Sequence, residues 1–213
     1  MTSYSVCRRF EPRVNLTENV VFAMRMFGLT LESLSEQAIT HQCEVKIDAG
    51  QVVYITGASG AGKSVLLAEL EKKISPERRI NLAGIGLPAG RSVIDCMDGD
   101  VMEALRLLSM AGLSDVWCLL NQPCHLSDGQ KWRFRLAMAM AAGRELIFAD
   151  EFCSNLDRIT ASVVSYNVRK FAAKSGRTFI LASSAEDILG DLQADVIIKK
   201  ELSGPARVIY RNS

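Results

Sequence analysis

Eight consecutive residues, Gly57-Ala58-Ser59-Gly60-Ala61-Gly62-Lys63-Ser64, have the types and spacing needed to grip a chain of phosphates. They fit the pattern G-x-x-x-x-G-K-[ST] in full. Glycines at 57, 60 and 62 let the backbone curl so that successive N–H groups, those of Ser59 and Ala61 included, point at phosphate oxygens. A helix starting near Lys63 adds the positive end of its dipole. Lys63 is expected to reach the β- and γ-phosphates, and the Ser64 hydroxyl to ligate Mg²⁺. Some ninety residues later the apolar run Leu146-Ile147-Phe148-Ala149 ends in two acids, Asp150 and Glu151. The Asp150 carboxylate can face the Mg²⁺ held by Ser64, usually through water. Glu151 could orient or deprotonate an attacking water. ATP and Mg²⁺ are the expected cofactors. The competing readings are a Gly-rich turn and a solvated strand end, and the patterns on either side of both motifs argue against them.

Those flanking patterns alternate between strand and helix. Residues 52–56 form a β-rich run expected to be a central strand, and 63–73 a helix with Leu66, Leu67 and Leu70 on one face. Before them, 20–27 reads as a short apolar helix ending at Gly28, and 42–47 as an edge strand. After a less regular stretch, 100–111, 127–142 and 159–174 read as helices, with Ser127 an N-cap and Gly112 and Gly176 as stops. Residues 146–149 and 178–182 read as strands, and 196–199 with 206–210 as a terminal hairpin. Strands alternating with helices imply a mostly parallel sheet covered on both faces.

The motif order is more specific than any single motif. Leu126-Ser127-Asp128-Gly129-Gln130 precedes a helix, Asp150-Glu151 follows about twenty residues on, and Ser154-Asn155-Leu156-Asp157 comes next. Over roughly residues 45 to 200 this succession resembles the ATP-binding-cassette (ABC) ATPase superfamily: phosphate loop, signature, acidic strand end with a catalytic glutamate, and D-loop. The resemblance implies an α/β P-loop NTPase fold with flanking helices, a small antiparallel edge sheet and a helical subdomain shortened to residues 88–145, all in a single domain over 1–213. It implies an ATPase that forms a head-to-tail homodimer around ATP. Ser127, Gly129 and Gln130 would then bind the γ-phosphate held by the other protomer, and Asp157 would touch the opposite site. Taken alone, 126–130 is also a good helix cap.

Three family elements depart from the pattern. The position of the switch histidine is best matched by Ser184, which can hydrogen-bond phosphate or water but lacks the proton chemistry of imidazole. Slow hydrolysis, or a nucleotide-gated switch with negligible turnover, follows. No glutamine lies between the phosphate loop and Gln122; Asp95 or Asp98 occupies that region, an ordinary solvated acid being the plainer account of each. Phe27 is the best-placed residue to stack on adenine, and on an apolar face it reads equally as core.

Composition narrows the partners. Of 213 residues 48% are hydrophobic and the formal net charge is +1, which gives no electrostatic case for nucleic acid or an anionic membrane as main partner. Arg133 and Arg135 on the signature helix leave DNA open. No signal peptide is visible in the first sixteen residues, and no apolar run approaches the ~20 residues that span a bilayer. Six scattered cysteines without a CxxC pair argue against zinc, read as buried small hydrophobes, and fit a cytoplasmic location. The short segment from Ser64 to Leu126 favours a soluble ABC protein acting on an unknown protein partner. It is similar to stand-alone ABC ATPases, including those fused to acetyltransferase domains. A transporter's ATPase subunit is the rival, with the membrane part on another chain.

Overall fold

The computed structural model describes residues 2–10, 14–36, 39–202 and 204–211. The elements in chain order are β1 (Thr2–Phe10), α1 (Glu18–Met26), α2 (Leu31–Glu36), β2 (Ile39–Ile47), β3 (Val52–Thr56), α3 (Lys63–Lys72), β4 (Arg79–Asn81), α4 (Val101–Met110), α5 (Val116–Leu120), α6 (Asp128–Ala141), β5 (Leu146–Ala149), α7 (Arg158–Ser175), β6 (Thr178–Ala182), α8 (Leu189–Leu192), β7 (Val196–Lys199) and β8 (Arg207–Tyr210). Strands β4-β5-β6-β3-β7-β8 form one sheet in that spatial order, parallel except for the β7–β8 hairpin. β1 and β2 pair antiparallel in a separate small sheet. The expected α/β architecture with a small antiparallel sheet is therefore the observed one.

The period of two along each strand divides the core into two layers. Val52 and Tyr54 of β3, Ile147 and Ala149 of β5, and Phe179 and Leu181 of β6 face the layer built with α4, α6 and α7. Val53 and Ile55, Leu146 and Phe148, and Ile180 and Ala182 face the layer of α3 and the small sheet. All five residues of β3 are buried, which is why that segment reads as an unbroken apolar run. Leu66, Leu67 and Leu70 seat α3 in the second layer, as their helical spacing requires. Arg8 of β1 reaches Glu69 of α3 at 2.7 Å and closes the small sheet over that helix. On the other side, Asp195 accepts from Val52 N at 2.8 Å and from Arg169 Nη1 at 2.6 Å, tying α7 to the start of the central strand.

Four expectations change. The charged N-terminal residues form β1, a nine-residue strand in which Val6 is buried while Arg8 and Arg9 are exposed. The edge strand at 42–47 extends back to Ile39 and belongs to the small sheet. The less regular stretch contains β4, three half-buried residues held by pairing with β5 rather than by their own propensity. The helix near 20–27 buries none of its residues, and Phe27, its C-cap, is 78% exposed, so the core reading of Phe27 is wrong.

Of the six cysteines, Cys43, Cys96, Cys118 and Cys153 are buried, Cys7 and Cys124 are exposed, and all are free. Burial pushes the Cys43 thiol up to about 11 and that of Cys153 up to about 12, so both stay protonated and unreactive. Among the described residues no helix is long and apolar enough to cross a membrane.

Candidate functional site

Three loops leave the same edge of the sheet, the C-terminal ends of β3, β5 and β6. Register aligns them: Ala149 lies opposite Leu181, and Leu181 opposite Tyr54. Asp150 and Glu151 after β5, Ser183 and Ser184 after β6, and the loop at 57–62 after β3 thus follow strands that end together. Open α/β sheets place ligands at this edge.

The phosphate loop is shaped by two contacts from below. Gly57 has φ 145°, and a Cβ there would lie 1.9 Å from the backbone oxygen of Lys200. Gly62, the residue before α3, has φ 91°, and its Cβ would fall 2.1 Å from the imidazole of His41. Backbone conformation and lack of space both demand glycine at these positions. Between them the buried Lys63 donates from Nζ to Gly57 O and Ala58 O, at 2.9 Å each. The loop's own carbonyls hold this ammonium where a phosphate would compete for it. Ser59, Gly60 and Ser64 are exposed and Ala61 is buried. Gly62→Ala is expected to cost about 2–5 kcal/mol, the sum of left-handed strain and overpacking. Gly60, at φ 77° with nothing within 4 Å of its Cβ, isolates the strain alone, so Gly60→Ala should cost only ~1–2 kcal/mol. Urea unfolding of the two variants measures the difference, and equal losses would contradict the packing of His41 beneath Gly62.

The acidic strand end is open. Asp150 is half-buried and its Oδ1 accepts from Glu151 N at 3.0 Å. Glu151 is exposed with φ 49°, a left-handed conformation uncommon outside glycine, and Cys153 follows at φ 59°. The turn is braced by Phe152 N donating to Ala182 O at 2.9 Å and Ser154 Oγ donating to Glu151 O at 2.9 Å. Ser184 is exposed, while its neighbour Ser183 is buried and donates from N to Ile55 O at 3.1 Å. Tyr54, in the middle of the central strand, donates its hydroxyl to Ala185 O at 2.5 Å and pins this third loop. Burial pushes the Tyr54 phenol up to about 12, so it remains a donor. Its anchoring role was hidden in the sequence within an apolar run.

The signature segment is a complete helix cap. Ser127 Oγ accepts from Gln130 N at 3.3 Å, and the Gln130 side chain accepts from Ser127 N at 2.9 Å. This is the reciprocal capping box. Gln130 Nε2 also donates to Cys118 Sγ at 2.9 Å, so both ends of that amide are engaged within the chain. A Cβ on Gly129 would come to 3.0 Å from Asn155 O, so the start of α6 rests on the loop that leads to Asp157. Asp157 caps α7 and accepts from Thr160 N and Thr160 Oγ1 at 3.0 and 2.6 Å, bonds that hold its carboxyl below the usual range. α6 packs in the layer opposite α3, so the loop at 57–64 and the capped start of α6 lead into helices on different faces of the sheet. Arg133 donates to Gly129 O and Gly112 O, and Arg135 to Ile85 O; both guanidinium groups brace loops. His125 is exposed, its Nδ1 3.1 Å from Asn121 Oδ1. Asp95 and Asp98 are exposed acids.

The family model described as ABC transporter matches residues 40–92, from β2 through the phosphate loop to beyond β4. The chain is 29% identical over 210 residues to the methionine import ATP-binding protein MetN of Sodalis glossinidius (strain morsitans), covering 80% of this chain and 61% of that protein. It is 28% identical over 209 residues to the macrolide export ATP-binding/permease protein MacB of Nitrosomonas europaea, with 77% and 30% covered. The chain therefore spans less than two thirds of the length of these relatives. Among solved structures, a dimeric ATP-binding cassette in a post-hydrolysis state, bound to ADP and phosphate, superposes with TM-score 0.66 at 19% identity, covering 84% of this chain and 94% of that one. A dimeric bacterial ABC transporter cassette superposes with TM-score 0.65 at 20% identity and the same coverage. The fold is that of an ATP-binding cassette.

Proposed function

We propose that this chain binds ATP with Mg²⁺ at the edge formed by β3, β5 and β6, hydrolyses it, and uses the nucleotide to close a head-to-tail homodimer that acts on a separate protein partner. The observation that carries the reading is the phosphate loop: a curl of backbone with glycine enforced at 57 and 62 and Lys63 held across its mouth.

Gly57, Ser59, Gly60, Ala61 and Gly62 supply the curl, whose N–H groups bind phosphate oxygens, and Lys63 exchanges its carbonyl partners for the β- and γ-phosphates. The donor set suits Mg²⁺. Among the described residues no group of three or more His, Cys, Asp or Glu could cage a metal, and Mg²⁺ characteristically takes one carboxylate, a hydroxyl and substrate phosphates. Ser64 and Asp150 would hold it, and when bound it neutralises charge on the transferring phosphoryl group. Glu151 accepts a proton from, or orients, the attacking water. Ser184 hydrogen-bonds the γ-phosphate or that water, and without an imidazole there turnover is slow. Ser127 and Gly129, and with them Gln130 as the brace of the cap, present the start of α6 to the partner's γ-phosphate, and Asp157 faces the opposite site. Closure follows because ATP adds contacts that exist only between two chains.

The helical region is read as a shortened subdomain over residues 88–145 of a single domain. Two partner classes remain in play. The relatives' names, import and export proteins, support a membrane-embedded partner. The short segment between Ser64 and Leu126 supports a soluble, cytoplasmic one, and nucleic acid is not indicated by charge. Light scattering of the purified chain with and without Mg-ATP tests the central claim. A doubling of mass with Mg-ATP supports it; a monomer at saturating nucleotide would refute dimerisation, and no nucleotide binding would refute the whole reading. Fractionation of cells into membrane and soluble pools then separates the partner classes.

A further inference from the structure

His41 sits directly beneath the phosphate loop and nothing in the proposed mechanism uses it. It lies on β2 in the alternation that also buries Cys43, Val45 and Ile47. Its ring fills the space where a Cβ on Gly62 would stand, touching the residue that begins α3. It is 5% exposed, and its Nδ1 has no hydrogen-bond partner among the described residues. A buried polar nitrogen left unpaired costs free energy, so its place here calls for a reason.

The groups around it are cationic. Lys200, fully buried just beyond β7, lies under the other end of the same loop, against Gly57. Its Nζ donates to Glu201 O and Gly204 O at 2.6 and 3.0 Å, which leaves its charge without a carboxylate partner in those bonds. Arg8 lies opposite His41 on β1 and is paired with Glu69 of α3. Lys63, on the first turn of α3, is tied to Gly57 O and Ala58 O. Burial first, and the charge of Lys200 second, hold the His41 imidazole below its ordinary 6.5. Burial and the charge of Lys200 thus both favour the neutral ring in the free protein.

We propose that His41 is a positioning residue of the phosphate loop that takes up a proton from solvent when the nucleotide's phosphates bind above Gly62, so that nucleotide affinity and proton binding are linked. The proposal rests on the nucleotide-binding reading. The ring supports the turn from loop to helix, and bound phosphates would add negative charge to that of Glu69, which pairs with Arg8, and of Glu201, which acts on Lys200. A unit charge at about 7 Å and an effective dielectric of about 20 is enough to move a titration by more than one unit. The sign is set by that field. The anion favours the imidazolium, so the bound form has the higher midpoint, and affinity rises as pH falls through the interval between the two midpoints. In the free protein the depressed midpoint acts the other way on folding. Stability is fully present above about 6.5, where unfolded and folded rings are both neutral, and is lost as pH falls towards the folded value.

The chain has only two histidines, so the experiment needs no variant. Histidine ring ¹⁵N and ¹³C shifts are followed against pH for the free protein and for protein saturated with Mg-ADP or a non-hydrolysable ATP analogue, with His125 as the second, exposed signal. The expected result is a His41 midpoint below that of a model imidazole when free, rising by about one pH unit or more when bound, which corresponds to a roughly tenfold gain in affinity across the interval. His41→Gln and His41→Asn should flatten the pH dependence of the nucleotide Kd relative to wild type, with the nucleotide's own protonation common to both arms. A coincident His41 titration with and without saturating nucleotide would overturn the proposal while the binding reading stands. Backbone amides of residues 57–64 that do not shift with nucleotide would instead remove the binding reading, and this proposal with it.

Discussion

Glu151→Gln is expected to lower phosphate release by about 10²–10⁴-fold, the range for removing a positioned general base. The substitution is isosteric and the architecture around position 151 is carried by its backbone. The amide donates to Asp150 Oδ1, the carbonyl accepts from Ser154 Oγ, and φ is 49° whichever side chain is attached. Nucleotide binding should therefore persist while turnover falls. If closure needs ATP and opening needs its cleavage, the variant should also accumulate as a dimer in Mg-ATP. Single-turnover phosphate release with light scattering on the same sample reads both. Unchanged turnover would remove Glu151 from the chemistry and leave the chain as a nucleotide-gated switch. The left-handed backbone at 151 and 153 points the same way, because a strained turn of ordinary residues costs ~1–3 kcal/mol and persists where its geometry is held for a purpose.

Lys63→Ala should weaken binding of Mg-nucleotide by at least about 100-fold. Two charge-assisted hydrogen bonds to phosphate at ~1.5–3 kcal/mol each give that scale. In the free chain the same ammonium bridges Gly57 O and Ala58 O at 2.9 Å, so its removal also loosens the mouth of the loop. Lys63→Arg should not rescue, since a planar fork cannot replace a compact point charge inside a curl whose walls are backbone. Isothermal titration with Mg-ADP measures the loss, and an affinity within threefold of wild type would mean that phosphates are not gripped here. Thermal unfolding without nucleotide serves as the control, because a variant that melts far below wild type reports on folding rather than on recognition.

Local, short-range patterns were legible in the residues themselves. The strand, glycine curl and helix around residues 52–72 appear where hydrophobic period and glycine spacing place them. Ser127 caps α6 and Gly176 closes α7 in a left-handed conformation, both readable because capping is decided within four residues. Segments whose conformation depends on distant partners were not legible. β1 carries four arginine, cysteine or tyrosine positions that look like a solvated tail, and it is a strand because β2 and Glu69 lie beside it. β4 exists through pairing with β5. Phe27 belongs to an apolar pattern yet stands exposed, since no described segment buries a residue of α1.

The sequence by itself determined the chemistry on offer: a phosphate curl, an amine, a hydroxyl and two acids at strand ends, each set by residue type and spacing over a few positions. Tertiary structure alone decided what surrounds them. His41 stands about twenty residues before Gly62 and Lys200 well over a hundred after Gly57; packing of the small sheet against α3 brings the buried imidazole under Gly62, and pairing of β7 with β3 brings a backbone carbonyl under Gly57. Tyr54 becomes an anchor only because β6 runs beside β3 and delivers Ala185 to its hydroxyl. Local sequence sets backbone propensity and functional groups. Burial, electrostatic field and contact depend on which distant segments the sheet brings together.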